Sequence, residues 1–523
     1  VRVLMVASEN DALKNGKVGG IGDVIRDIPK FLSEQDICVD VITPGYQYHA
    51  LANPSTLIDA VDVPFRQTNE RVDLYYLEQQ SSDKIGQYVV ENKLFCQGQP
   101  GQIYFDDGDD KPFYSDANKF ALFCASICEL LIGPWQNRYD VVHLHDWHSA
   151  TVLVLSRFEP RYKAVEQLHS VYSIHNLAIQ GIRPLTQTES SLRAWFPTLR
   201  YDESILADTR YSDCYNPTRA AINLANVVHV VSPTYRQEVI QASDPDRGFI
   251  GGEGLEQDLQ VADQQHRLVG ILNGCDYTQT IPPIVANKEL LTLIKEQISG
   301  LHGVDNFVRA SHFIAEKRCQ QWQQHNASGP LIISVGRITE QKLKLVFETS
   351  ESGYVLDDIM DNLQRFKGRM IILGSGDAQL EQRITEVMKR HDNLLFINGF
   401  CSGLSDQLYV NGDLFLMPSS FEPCGISQML AMRAATPVIA HKIGGLNDTV
   451  IHLHNGFLFS GNSVNEQVNG LLEAVTLALT MYQQDKVQFN KLCQRAKAER
   501  FLWRDCIDAY ISLLYQPSMA IPP

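Results

Sequence analysis

The chain lacks a cysteine framework. Its 11 cysteines are odd in number and scattered, with no CxxC pair, which points to a reducing compartment and argues against a disulfide scaffold. No apolar run approaches the roughly 18 uninterrupted residues of a membrane-spanning helix. Positive charge is in deficit: 45 Lys and Arg stand against 61 Asp and Glu, for a formal net charge of −16. That balance argues against a nucleic-acid or anionic-membrane surface and favours a neutral or small ligand, with room for a local basic pocket. Short-period repeats and low-complexity tracts are absent as well. The opening VRVLMVAS reads as a strand rather than a signal peptide, because its apolar part is short and runs directly into NDALKNGKVGG.

What is present is length and alternation. At 523 residues with 44% hydrophobic content, the chain exceeds one ordinary core and implies two domains of roughly 200–270 residues. In the first half, the runs VRVLMVA, ICVDVIT, YDVVHLH, SVYSIHN and NVVHVVS alternate with amphipathic stretches. The pattern pauses after GILNGCD and restarts with PLIISVG, RMIILGSG, NLLFING, DLFLMPS and TPVIAHK. Such alternation predicts an α/β fold of two parallel sheets covered by helices, dividing near Gly274, with ligands bound at the carboxyl ends of the strands.

The most informative segment is PSSFEPCGISQMLAMRAATPVIAHKIGGLNDTV, residues 418–450. A buried strand (LFLMP) should deliver Glu422 to a carboxyl strand end, beside a helix running from about 426 to 434. After the next strand, Gly444 and Gly445 would let backbone amides approach a phosphate. Alone, this segment is read equally well as a solvated turn carboxylate with helix-capping glycines. Further upstream, GKVGGIGD places Lys17 on a glycine-rich loop that suits a pyrophosphate, although an exposed lysine is the default reading. Asp23 at the following helix start either accepts from sugar hydroxyls or caps the helix. Val24, Ile25, Ile28, Phe31 and Leu32 mark that helix's buried face, with a kink expected at Pro29.

Two other loops carry candidates. His143, His145, Asp146 and His148 in VVHLHDWHSA do not have a zinc spacing and read as a polar strand end. His175 and Asn176 follow the strand SVYSI, in the layer where a sugar would be contacted. Tyr104, Asp116, Asn118 and Lys119 lie on the preceding long connection, where acceptor contacts are conceivable. In ISVGRITEQK, Arg337 and Lys342 lie just beyond a strand and can converge on a diphosphate, the first by bidentate hydrogen bonds and the second as a point charge.

The ordered set KVGGIGDV, HLHDWH, SIHNLAIQG, VSPTY, GILNGCD, VGRITEQK, GSGD, FEPCGISQ and GGLNDTV, closing with WRDCIDAYISLLY, resembles bacterial glycogen synthases and plant starch synthases. The resemblance implies the glycosyltransferase B architecture, two Rossmann-like domains facing a deep cleft. The N-terminal, acceptor-side domain is expected over 1–274 and the nucleotide-sugar domain over 275–498, with 499–523 a helix returning to the N-terminal domain. It also implies transfer of glucose from ADP-glucose to the nonreducing end of an α-1,4-glucan with retention, without a metal or cofactor. By motif, Lys17, His175, Arg337, Lys342 and Glu422 match the family's catalytic set, Glu422 orienting the glucose while Arg337 and Lys342 stabilise the departing diphosphate. Gly19, Gly20, Asp23, Asn216, Cys424, Gly425, Ile426, Ser427, Gly444, Gly445 and Leu446 are expected on the donor side, with Arg219 beside Asn216. Tyr104, Asp146 and Asn176 are expected on the acceptor side. The expected compartment is the bacterial cytoplasm, with a processed plastid protein as the alternative.

Several positions depart from the family's pattern. Leu343 stands where a glycine is usual, and the segment from 344 to 367 is stretched by about nine residues, read as inert surface variation. Val18, Thr280 and Ala435 replace a threonine, a tryptophan and a glycine that are common in the family. Two other readings therefore stand beside the first: the same reaction from UDP-glucose or another sugar nucleotide, and a glucan-binding homologue without turnover, for which Leu343 is the support.

Overall fold

The computed structural model describes residues 1–108, 110–278, 280–305, 309–325, 328–399 and 402–516. The chain divides into two compact units. One comprises Val1–Ser243, Gly251–Gly274 and the chain from Trp503 onward; the other comprises Asp244–Ile250 and Cys275–Leu502. The dividing points are local in origin. Cys275 N donates to Phe501 O at 2.7 Å, keeping residues up to Leu502 with the second unit. Gly274 leaves no room for a side chain, since a Cβ there would lie 2.5 Å from Trp503 N.

The first unit is built on a nine-stranded sheet. Seven strands run parallel, in the spatial order Leu268–Gly270, Val227–Val230, His169–Ile174, Val141–His145, Arg2–Val6, Cys38–Pro44, Ile85–Glu91. Helices cover such strands on both faces, so they read as continuous apolar runs; Val3, Leu4, Met5 and Val6 are all 0% exposed. An antiparallel hairpin, Ser55–Phe65 with Thr68–Leu77, extends the sheet beyond Ile85–Glu91. The alternation pattern did not reveal it, because its outer strand is half exposed, carries charges and is bulged between Leu57 and Asp59.

The helix Gly20–Glu34 buries Ile21, Val24, Ile25, Ile28 and Leu32 and continues past Pro29 to its end. On the same sheet face pack the helix Trp503–Ala509 and the wider π-type turn Tyr510–Tyr515. Trp503, Ile507, Tyr510, Leu514 and Tyr515 join Val3, Met5, Val39, Val141 and Val171 in one apolar cluster. Two polar contacts fix the turn: Tyr515 Oη lies 2.8 Å from His143 Nδ1, and His169 Nε2 lies 2.7 Å from Leu514 O.

The second unit has a six-stranded, wholly parallel sheet: Leu394–Asn398, Arg369–Gly374, Leu331–Val335, Leu414–Met417, Val438–His441, Gly456–Phe459. Successive side chains feed opposite faces. Ile332 joins the core beneath the helices Val355–Arg365 and Val464–Gln484, while Ile333 joins the one beneath Asn287–Asp305 and Ala310–Gln324.

The stretched segment is not inert surface. It forms a short ribbon, Thr349–Ser350 against Gly353–Tyr354, and then the helix Val355–Arg365, whose Val355 and Leu356 are in the core. Asp357 bolts it in place, accepting from Arg390 Nη2 at 2.7 Å and Tyr354 N at 2.9 Å, with His391 Nε2 at 2.8 Å. Burial pushes this carboxyl's pKa up, but those hydrogen bonds outweigh it and hold it below the ordinary value.

Two stability predictions follow from these placements. Replacing Trp503, 1% exposed, by alanine should cost about 3–5 kcal/mol in denaturant unfolding of the first unit. Ala435 holds φ +67, the left-handed region that favours glycine. Ala435→Gly should therefore stabilise the second unit by about 1 kcal/mol, read as a raised thermal midpoint.

Candidate active site

In the second sheet the first strand, Leu331–Val335, lies between Arg369–Gly374 and Leu414–Met417. Consecutive connections leave it in opposite directions, which opens a crevice at the carboxyl ends of Leu331–Val335 and Leu414–Met417. A pocket there is lined by Gly336, Arg337, Lys342, Leu343, Met417 and Ser419, among others. Lys342, on the helical turn Glu340–Leu343, forms an ion pair with Glu422 Oε2, and Ser419 Oγ donates to the same oxygen at 3.1 Å. Glu422 is 6% exposed, whereas Arg337 is exposed and, among the described residues, forms no hydrogen bond or ion pair. The loop is sewn to its neighbours: Ser420 N donates to Gln341 O at 2.8 Å, and Gln341 Nε2 to Phe421 O at 3.1 Å. His441, stacked on Phe459 at 4.9 Å, lies with Nδ1 3.0 Å from Ser419 O.

The glycine pair has a different job from the expected one. Gly445 N is spent on Glu422 O at 3.0 Å, and a Cβ on Gly445 would lie 2.1 Å from Cys424 O. Gly445 thus lets two protein loops touch, while Gly444, at φ +40, opens the helix Gly444–Thr449. Gly425 holds φ +76, and Gln428 Nε2 ties the carbonyls of Cys424 and Gly425 at 3.0 Å each. The helix after them is Ser427–Arg433, with Ile426 at its N-cap; Leu446 is wholly in the core. Leu343, which stands where a glycine is usual in the family, lines this pocket. Its side chain packs inward with Leu345 and Val346, and its amide is already committed to Thr339 O at 3.1 Å.

The first sheet repeats the inversion, its first strand Arg2–Val6 lying between Cys38–Pro44 and Val141–His145. Lys17 is exposed but clasped by Asp23 at 2.6 Å, with Asp11 at 4.0 Å. Asp23 does not cap the helix; the N-cap is Gly19, without a side-chain bond, and Gly20 faces open space. Burial raises the Asp23 pKa against the lowering pull of Lys17. Glu9, 2% exposed, was not anticipated. Its Oε2 accepts from Val18 N at 2.8 Å and Gly19 N at 2.6 Å, and its Oε1 from Tyr104 Oη at 2.7 Å. Its place at the carboxyl end of the first strand was the available signal.

Asp146, 6% exposed and at φ +54, accepts from His175 N at 2.6 Å. Burial raises its carboxyl pKa to about 7 although the His175 and Asn176 amides pull it down. His175 is half-buried, and burial lowers its pKa to about 4. Asn176 Oδ1 accepts from Ala178 N at 3.0 Å. His143 and His145 share a strand face, their rings stacked at 4.2 Å. Among the described residues no group of His, Cys, Asp and Glu is arranged to hold a metal ion.

Five of the expected contact residues are engaged as internal braces. Lys119 is 0% exposed and paired with Asp116 at 2.7 Å, while Asn118 Oδ1 accepts from Trp195 Nε1 at 2.6 Å. Asn216, also 0% exposed, caps the helix Pro217–Leu224: Oδ1 accepts from Arg219 N at 3.0 Å and Nδ2 donates to Gln180 and Asp208 at 2.7 Å. Arg219 is paired with Asp258 at 2.8 Å. A helix-capping reading of NPTR was available from the sequence.

The buried histidines give a pH signature. Burial lowers His229 from 6.5 to about 3, so the unfolded chain binds a proton there that the folded chain refuses. The stabilisation is full above about 6.5 and is lost as pH falls toward the folded value. His229→Asn, which keeps a polar partner for Ser173 Oγ, should make the thermal midpoint fall less steeply on acidification from pH about 6.5 to about 4.

Comparison with known proteins identifies the family. Residues 2–261 match the family described as the starch synthase catalytic domain, and residues 317–484 match the glycosyl transferases group 1 family. The chain is 31% identical to a glycogen synthase of Lactococcus lactis, over 95% of this chain and 96% of that one. It is 29% identical to a glycogen synthase of Streptococcus equi subsp. equi, over 98% and 99%. Among solved structures, the catalytic domain of starch synthase IV from Arabidopsis thaliana, bound to ADP and acarbose, matches with a TM-score of 0.73 at 25% identity, covering 98% of both chains. The chain is therefore a glycosyltransferase of the glycogen synthase and starch synthase family, with the two-domain glycosyltransferase B fold.

Proposed function

We propose that the protein transfers glucose from ADP-glucose to the nonreducing end of an α-1,4-glucan with retention of configuration, using no metal or cofactor. The observation that carries this reading is the cluster of Lys342, Glu422 and Arg337 around the crevice of the second sheet. A buried carboxylate beside two cations suits a neutral sugar attached to a diphosphate. ADP as the nucleotide is supported by the starch synthase IV structure, which was solved with ADP and acarbose. Leu343, packed in the core, no longer favours a homologue without turnover.

In the proposed reaction the bond from the anomeric carbon to the diphosphate oxygen breaks, leaving negative charge on ADP and positive character on the sugar. Arg337 and Lys342 stabilise the first, so they act more strongly in the transition state than in the ground state. The acceptor hydroxyl attacks from the same face, forming the new glycosidic bond, and its proton passes to the departing phosphate. Glu422 orients the glucose. Lys17 is assigned to the donor phosphates, His175 to the transferred glucose, and Tyr104, Asp146 and Asn176 to the acceptor side.

Incubation with ADP-glucose and a maltooligosaccharide should release ADP and lengthen the glucan; folded protein that does neither would refute the assignment. A parallel reaction with UDP-glucose, expected to be slower, decides the donor. Glu422→Gln and Lys342→Ala should each lower kcat by about 10²-fold or more. Glu422→Gln should do so with little change in melting temperature.

A further inference from the structure

His175 does not stand alone at its strand end. Its Nε2 lies 3.0 Å from Nδ1 of His145, the last residue of the neighbouring strand Val141–His145. One ring nitrogen must donate and the other accept, so the pair can exist in two tautomeric arrangements. His145 is 1% exposed, and its second nitrogen, Nε2, is sealed from solvent without a hydrogen-bond partner among the described residues. If His175 donated from Nε2, the single proton of neutral His145 would sit on that Nε2, as a buried donor with no acceptor. If His145 donates from Nδ1, the orphan is an acceptor lone pair, which costs less than a buried unpaired N–H. A doubly protonated His145 is disfavoured by burial and by His143 and His175 beside it.

We propose that His145 is a positioning residue that holds His175 as the Nδ1–H tautomer, so that His175 offers a hydrogen-bond donor to its ligand. Nδ1 of His175 has no hydrogen bond within the protein among the described residues, which leaves that N–H for a ligand oxygen. His145 is itself immobilised. Its ring stacks on His143 at 4.2 Å, and His143 is held at both nitrogens, by Tyr515 Oη at 2.8 Å and by Ser173 Oγ at 2.6 Å. That the ligand oxygen is a sugar hydroxyl rests on the glucosyl-transfer reading; the tautomer does not.

Two-bond proton–nitrogen correlation spectra of the full chain labelled with ¹⁵N-histidine, with His175 assigned by its absence in His175→Gln, test the idea. The wild type should carry the His175 proton on Nδ1. His145→Phe keeps a stacked ring but no donor and should shift His175 toward Nε2–H, whereas His145→Asn, with an N–H near the place of Nδ1, should retain Nδ1–H. Under the proposed reaction kcat/KM should fall about tenfold in His145→Phe and recover in His145→Asn. A wild-type His175 protonated on Nε2, or a His175 tautomer unaltered by His145→Phe, would overturn the proposal. The expected tautomers without any glucosyl transfer would uphold it and refute the functional reading instead.

Discussion

Parallel pairing obliges the chain to cross back over each sheet before adding a strand, so every such strand delivers its next loop to the same end. Counting only the parallel strands in chain order, in both units the first has the second on one side and the fourth on the other. Loops from those two strands therefore part rather than cross, and polar groups can gather between them. Lys342 and Glu422 meet at one such point. At the other, Glu9 and Asp146 occupy the ends of the first and fourth strands. The chemistry is local to these openings because most of the parallel strands are covered on both faces.

Within the openings, carboxylates do most of the organising. Glu9 gathers the amides of Val18 and Gly19, Asp146 that of His175, and Glu422 the Lys342 ammonium. Asp357 performs the same service away from the crevice. A charged acceptor is a strong partner for several donors at once, which makes it an economical way to fix an irregular loop. It also gives some of the chain's acidic excess a structural meaning. Lys17 and Lys342 each rest on a carboxylate, whereas Arg337 forms no ion pair among the described residues.

Much of this was legible in the residues. Strands sealed on both faces stand out as apolar runs, and Lys17, His175, Arg337, Lys342 and Glu422 lie on the loops that follow such runs. The hairpin Ser55–Leu77 does not stand out, since half-exposed strands mix charge with apolar residues and lose their contrast. Gly445 shows a second limit: a glycine reports that something comes close, not whether it is a phosphate or another loop of the protein. Asn216 shows a third, because a polar residue in a family motif can be engaged in capping its own helix and bracing its neighbours. Leu343 shows a fourth, because a sequence does not say which way a side chain turns.

The apolar cluster shared by Trp503, Tyr510 and Tyr515 with Val3 and Val141 has a consequence in time. Val3 and Val141 are made before the second unit, yet Trp503, Tyr510 and Tyr515, which help to cover this face of the first sheet, emerge after it. A nascent first unit can form its parallel strands early but holds part of this apolar face uncovered until Trp503–Tyr515 has been made. For that interval the second unit can fold to completion while the first waits, so the order of maturation runs against the order of translation.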